Sequence, residues 1–193
     1  MESQTSQLRY WKGGYLRMDI IIRQETEKDC RLSEKVVEKA FENEEHSDHR
    51  EQFLVAKLRK SDVFIPELSL IAEINKKIVG HSLMTKLIIK DGEKEYESLA
   101  LAPVSVLPEY QNKGIGTGLI EESLKLAEEM GFKSVIVLGH DRYYPRFGFK
   151  PASTWGIKAP FDVPDESFMA LELEKGSLDN IKGTVAYCKE FFE

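Results

Sequence analysis

Apolar positions come in two textures along this chain, short alternating or β-branched runs and stretches that recur every three to four residues, and their order predicts the elements. Ile20-Ile21-Ile22 predicts a short strand, after which Thr26 and Asp29 resemble a helix start leading into Leu32, Val36, Val37, Ala40 and Phe41. A second, more loosely phased helical pattern covers residues 47–60 with Phe53, Leu54, Ala56 and Leu58, and the segment between the two helices is polar and acidic. From Leu68 the texture turns to β: residues 68–74, a turn at Asn75-Lys76-Lys77, residues 78–89, a turn at Asp91-Gly92, then residues 99–107, all hairpin-linked and antiparallel. A polar loop over residues 108–113 opens an amphipathic helix over 115–130, with Leu119, Ile120, Leu124, Ala127 and Met130 inward and Gly131 as its stop. Residues 135–138 are short, β-branched and apolar. They predict a buried strand parallel to 99–107, with the helix as a right-handed crossover. A helical turn near 141–147 and strands around 168–173 and 184–187 complete a mixed sheet.

With 193 residues, 41% hydrophobic and 31% charged, the chain has the profile of a soluble globular protein able to bury about 70% of its unfolded surface without disulfides or a structural metal. No repeat or linker interrupts residues 18–193, which read as a single domain behind an N-terminal extension, 1–17, where Tyr10, Trp11, Gly13-Gly14 and Tyr15 follow no period. Cys30 and Cys188 are the two cysteines, in no paired spacing, so a disulfide scaffold and a zinc site are both disfavoured and a reducing cytoplasm fits best. A net charge of −6 disfavours a nucleic-acid or anionic-membrane partner. No apolar run approaches the roughly 18 residues of a membrane span, and residues 1–17 lack the apolar centre of a signal peptide. The cluster Glu44-Glu45-His46-Ser47-Asp48-His49 contains neither a zinc-protease nor a calcium-loop spacing, so no metal is expected.

The richest chemistry lies in Val104-Ser105-Val106-Leu107-Pro108-Glu109-Tyr110-Gln111-Asn112-Lys113-Gly114-Ile115-Gly116-Thr117, where a buried strand runs out into glycines at a helix start. Gly114 and Gly116 lack Cβ, so the backbone can approach a ligand and offer several N–H groups at the positive end of the helix dipole. Such a nest binds phosphate. Lys113 adds a positive charge, and Gln111, Asn112 and Thr117 add hydrogen-bond donors. A Walker loop is absent, and Leu119 stands where a dinucleotide fingerprint needs its third glycine. Pro103, in the middle of an apolar strand, removes a ladder donor and suggests that the sheet opens near Val104.

The spacing Gln-x-x-Gly-x-Gly, Gln111 to Gly116, resembles the pyrophosphate loop of the GNAT superfamily of N-acetyltransferases. The segment Tyr143-Tyr144-Pro145-Arg146-Phe147-Gly148-Phe149 is similar to the aromatic-Tyr-x-x-x-Gly-Phe stretch of the same superfamily, and with Gly139 to Arg142 ahead of it looks like a bacterial subgroup of acetyltransferases. Many members carry an Asn and an Ala ahead of the aromatic pair, where this chain has His140 and Asp141. The resemblance implies an α/β (α+β) acyl-CoA N-acyltransferase fold. Its mixed, mostly antiparallel sheet, flanked by helices, splays between the fourth and fifth strands, here 99–107 and 135–138. It implies acetyl-CoA as acyl donor, with pantetheine pairing along Val104, Ser105 and Val106 in the manner of an added strand. The pyrophosphate would lie on Gln111, Asn112, Lys113, Gly114, Ile115, Gly116 and Thr117, with Tyr143 and Phe147 beside the cofactor. It further implies Tyr144 as the acid that protonates the departing CoA thiolate.

The expected reaction is direct transfer of the acetyl group to a primary amine in a ternary complex, by a monomer or a homodimer. An amine with a pKa of about 10.4 is mostly protonated at pH 7, a mismatch of roughly 4.6 kcal/mol, so something must take its proton. Many relatives use a glutamate on the strand facing the acetyl group, but Leu99-Ala100-Leu101-Ala102-Pro103-Val104 offers none. Glu44, Glu45, His46, His81 and a water chain stay open as bases. Residues 41–49 and 152–167, the latter with Trp155, Phe161, Pro160 and Pro164, would shape the acceptor site. Two other classes remain: a non-catalytic acyl-CoA-binding or sensing module, and a nucleotide-binding α/β protein using the same glycines.

Overall fold

A computed structural model describes residues 6–8, 19–44 and 47–193, so most of the extension and the base candidates Glu45 and His46 lie outside the described residues. β1 (Ser6–Leu8) pairs antiparallel with β2 (Ile20–Gln24), Ser6 opposite Ile22. Helix α1 (Cys30–Phe41) buries Ser33, Val36 and Val37, and α2 (Glu51–Leu58), shorter than its sequence pattern predicts, buries Val55 and Leu58. The expected start of α1 takes a different form. Asp29 precedes the helix without capping it, and its carboxylate instead accepts Thr26 N (2.9 Å) and Oγ1 (2.7 Å) and a two-pronged grip from Arg23. Those donors hold the Asp29 carboxyl well below the usual carboxylate range, Arg23 foremost and against the effect of burial.

Long hairpins follow, β3 (Phe64–Ile74), β4 (Lys77–Asp91) and β5 (Lys94–Val106), each longer than predicted. Asn75 and Lys76, with φ of 50° and 64°, form the two-residue turn between β3 and β4, whose backbone twist matches that of the strands. Helix α3 (Ile115–Glu129) ends as expected at Gly131, φ 87°, where Phe132 N bonds Ala127 O and Gly131 N bonds Glu128 O. Met130, predicted inward, is 43% exposed, because it falls in the turn that Gly131 closes. Beyond it lie β6 (Ser134–Leu138), β7 (Lys150–Pro151), β8 (Ile157–Lys158), β9 (Phe168–Glu172) and β10 (Gly183–Ala186).

These elements fall into two units, residues up to Leu83 with Pro103–Ser123, and Met84–Ala102 with Leu124–Glu193, so β4, β5 and α3 each contribute to both. In the first unit the strands run β1-β2-β3-β4-β5. Ile22, Leu68, Leu70, Ile71, Leu83, Ile115 and Leu119 are fully buried there, each worth about 1.5–3 kcal/mol of removal from water. Gly80 lets α3 close on β4, since a Cβ there would stand 2.9 Å from Leu119 Cδ1 and 3.1 Å from Ile115 Cγ2.

In the second unit the order is β4-β5-β6-β9-β7, with β10 against the end of β4 and β8 against β10. β6 is parallel to β5, as predicted, but the register holds only Leu99 opposite Val135 and Ala100 opposite Ile136, whereas β6 and β9 stay paired antiparallel as far as Leu138. The ladder between β5 and β6 thus ends three residues before Pro103. Leu138, at the far end of β6, is 45% exposed, departing from the buried strand expected there. Trp155 packs on the core of Leu87, Ile89, Ile136, Phe168 and Val185, which gives it a core role, whereas Phe161 is partly exposed and stacked on Tyr187.

Candidate functional site

Where β5 ends, Tyr110 N bonds Leu107 O at 2.8 Å and Gln111 Nε2 bonds Val106 O at 3.2 Å, folding the loop back on its own strand. Asn112 and Gly114 take left-handed φ of 58° and 82°. Gly118 N is the first to close a helical turn, onto Gly114 O at 3.0 Å. The N–H groups of Ile115, Gly116 and Thr117 ahead of it have no helical carbonyl to meet. Ile115 is itself buried, so it can offer a ligand its backbone and not its side chain. These are the residues whose glycine spacing predicted an anion nest, and they stand at the N-terminal end of a 15-residue helix, where the dipole is positive.

Lys113 folds back over the loop. Its Nζ donates to Glu109 O at 2.6 Å and lies 5.1 Å from the centre of the Tyr110 ring. On the same ring sits Lys77, 4.9 Å from the centroid and paired with Glu109 at 3.2 Å, a second cation that sequence reading missed because it comes from the start of β4. Val104 and Val106 are half-buried and Ser105 is buried, its hydroxyl directed at His81 O.

In the second unit, Tyr144 begins a short 3-10 turn, Tyr144–Phe147, that Gly148 ends at φ 96°. Its ring lies against Gly139, where an added Cβ would collide with it, and meets Tyr143 and Phe149 edge-on at 5.3 and 5.7 Å. Among the described residues its hydroxyl bonds to no protein group. Burial, with a smaller effect of Tyr143, raises the phenol above its ordinary range, so Tyr144 keeps its proton at neutral pH. Arg146 lies 3.8 Å over the Tyr143 ring and 5.1 Å from that of Phe147, covering the two expected cofactor contacts.

β5 carries no carboxylate between Leu99 and Val104, and Leu99, Ala100, Leu101 and Pro103 are buried. Of the base candidates, Glu44 is half-buried near the end of α1, and His81 is fully buried in the first unit beside Glu25, a residue not singled out from sequence. Burial acts to raise the Glu25 carboxyl, but His81, Arg59 and Ser33 outweigh it and bring it down to about 2. Among the described residues no group of three or more His, Cys, Asp or Glu is placed to hold a metal, and no helix is long and apolar enough to cross a membrane.

Residues 21–152 match the family model described as an acetyltransferase (GNAT) domain. Over 119 residues the chain is 43% identical to the uncharacterized N-acetyltransferase YjhQ of Escherichia coli, a match spanning 61% of this chain and 65% of that protein. The fold is similar to that of the GNAT family N-acetyltransferase YhbS of Escherichia coli, solved in complex with CoA, at a TM-score of 0.82 and 23% identity, covering 95% and 97% of the two chains. It is also similar to a GNAT family acetyltransferase from Brucella melitensis, solved with acetyl-CoA, at a TM-score of 0.74 and 32% identity, covering 89% and 97%.

Proposed function

The chain belongs to the acetyltransferase (GNAT) domain family, and on that premise we propose that it transfers the acetyl group of acetyl-CoA to a primary amine by direct attack in a ternary complex, in the cytoplasm. The observation that carries this reading is the left-handed backbone at Asn112 and Gly114 at the start of α3, reached from a strand whose parallel ladder has already ended at Ala100. The pyrophosphate sits on the amides of residues 112–117, with Gln111 closing the loop. Pantetheine pairs along Val104, Ser105 and Val106, and an N–H of Val104 or Val106 polarises the thioester carbonyl. Tyr143 and Phe147 border the cofactor. Tyr144, a phenol that keeps its proton, protonates the CoA sulfur as it leaves. The CoA and acetyl-CoA complexes of the similar proteins from Escherichia coli and Brucella melitensis support this choice of donor.

Calorimetric titration with acetyl-CoA, with ATP and NAD in the same buffer as controls, tests the reading. Micromolar binding of acetyl-CoA alone is expected, followed by thiol release when an amine is supplied. A folded sample that ignores acetyl-CoA overturns it. The absence of a carboxylate on β5 favours one other reading, a non-catalytic acyl-CoA-binding or sensing module, which predicts the same binding without thiol release for any amine.

A further inference from the structure

Glu25, just past β2, stands at the centre of a buried polar cluster drawn from five parts of the first unit. Its Oε1 accepts Arg59 Nη2 at 2.7 Å and the Ser33 hydroxyl, and its Oε2 accepts Arg59 Nε at 3.0 Å and Ser69 Oγ at 2.7 Å. Arg59 also reaches Glu34 Oε1 at 2.6 Å. His81 of β4 completes the cluster with one edge only: Nε2 lies 3.8 Å from Glu25 Oε1 and 3.5 Å from Ser69 Oγ. The other nitrogen, Nδ1, is buried and has no hydrogen-bond partner, on a side chain with no exposure at all.

Buried polar side-chain atoms are in large majority hydrogen-bonded, so this orphan calls for an explanation. Here the carboxylate and the serine face Nε2, which favours the ring proton on that nitrogen and leaves the lone pair on Nδ1. A polar edge that faces one ring nitrogen while the opposite nitrogen stays open is an arrangement a general base can use. The charges agree. Glu25 and Glu34 against Arg59 leave one net negative charge in the cluster, which a proton taken up by His81 would balance. Cys30, the remaining titratable neighbour, has its thiol raised by burial, with opposing effects of Arg59 and the two glutamates, and stays neutral.

Strand register places His81 beside the residues assigned to the thioester. Leu107 N bonds Val79 O at 2.9 Å and Ser105 Oγ reaches His81 O at 3.4 Å, which sets His81 abreast of Ser105, between the two valines assigned to the thioester. Gly80 and Ser82, its chain neighbours, face α3 through Leu119 and Ser123, so the His81 ring lies on the opposite face of the sheet.

We propose that His81, oriented by Glu25, takes the proton from the acceptor ammonium, an inference that rests on the acetyl-transfer reading above. The ammonium proton passes to Nδ1, through one bridging water where the amine does not reach it. The freed lone pair forms the N–C bond to the thioester carbon as the C–S bond breaks and its electrons leave with sulfur. The sulfur takes the Tyr144 proton, the proton then lost by the amide nitrogen restores it, and His81 gives its own to solvent.

Two measurements test this. On the wild-type protein, nitrogen-15 NMR of the imidazoles should find neutral His81 as the Nε2–H tautomer, and an Nδ1–H tautomer overturns the proposal. For kinetics, thiol release from acetyl-CoA is followed with ethylamine, spermidine and a lysine-containing peptide, in wild type and in His81→Gln, which keeps a donor where Nε2 was and removes Nδ1. The variant should bind acetyl-CoA as wild type does and lose roughly 100-fold or more in kcat at pH 7. The deficit should close as pH rises toward the amine's own pKa, because solution then supplies free amine. Wild-type kcat at pH 7, or an equal deficit at pH 7 and pH 10, overturns it. Should His81→Gln not fold, the tautomer decides. A wild type that binds acetyl-CoA and turns over none of these amines refutes the transfer reading itself, a failure visible without any variant.

Discussion

Arg59 holds Glu25 with two nitrogens, Nε on one carboxylate oxygen and Nη2 on the other, at 3.0 and 2.7 Å, with 10% and 3% of the two side chains exposed. The pair ties the end of α2 to the end of β2. Replacing Arg59 by Met leaves a buried carboxylate with its cation gone, a change that costs about 3–5 kcal/mol. A drop in melting temperature on the order of 10 °C is expected from thermal unfolding, and an unchanged melt would show that the pair holds nothing together.

Glu25 also predicts how stability depends on acid. Its folded pKa of about 2 lies below the ordinary 4.5, so its contribution is complete above the unfolded value and is lost as pH falls through the folded one. The difference corresponds to on the order of 3 kcal/mol. Urea midpoints should therefore decline between about pH 4.5 and 2. In Glu25→Gln the midpoint should start lower and decline less, and parallel declines in the two proteins would remove Glu25 from the acid response.

At the nest, Gly114 holds φ at 82°, a backbone conformation that L side chains rarely adopt. Gly114→Asp brings backbone strain and a negative charge to the place proposed for a pyrophosphate. Calorimetry should find acetyl-CoA binding abolished in a protein that still folds. Retained affinity would show that these amides do not hold the cofactor.

Tyr144→Phe should leave the fold and acetyl-CoA affinity close to wild type, because the ring keeps its contacts with Tyr143 and Phe149 and the hydroxyl bonds to no protein group. Turnover should fall by roughly 100-fold if the phenol protonates the departing sulfur. Undiminished kcat in a thiol-release assay would take Tyr144 out of that role.

Much of this molecule is legible residue by residue. Strand and helix order follow from local periodicity, and the end of α3 from Gly131, because backbone preference acts within a few neighbours. The parts of the proposed anion nest are legible for the same reason: glycines, helix start and polar side chains are contiguous from Gln111 to Thr117.

Tertiary structure decided what depends on residues far apart. Glu25 reads in sequence as one of many surface acids. It is buried because Arg59 and Ser69, 34 and 44 residues away, together supply the donors that offset its desolvation. Lys77 joins Tyr110 from 33 positions away, and Met130 and Leu138, apolar and in phase with buried neighbours, turned out exposed. Periodicity states which face of an element is apolar, and only the packing of the whole chain states what each face meets.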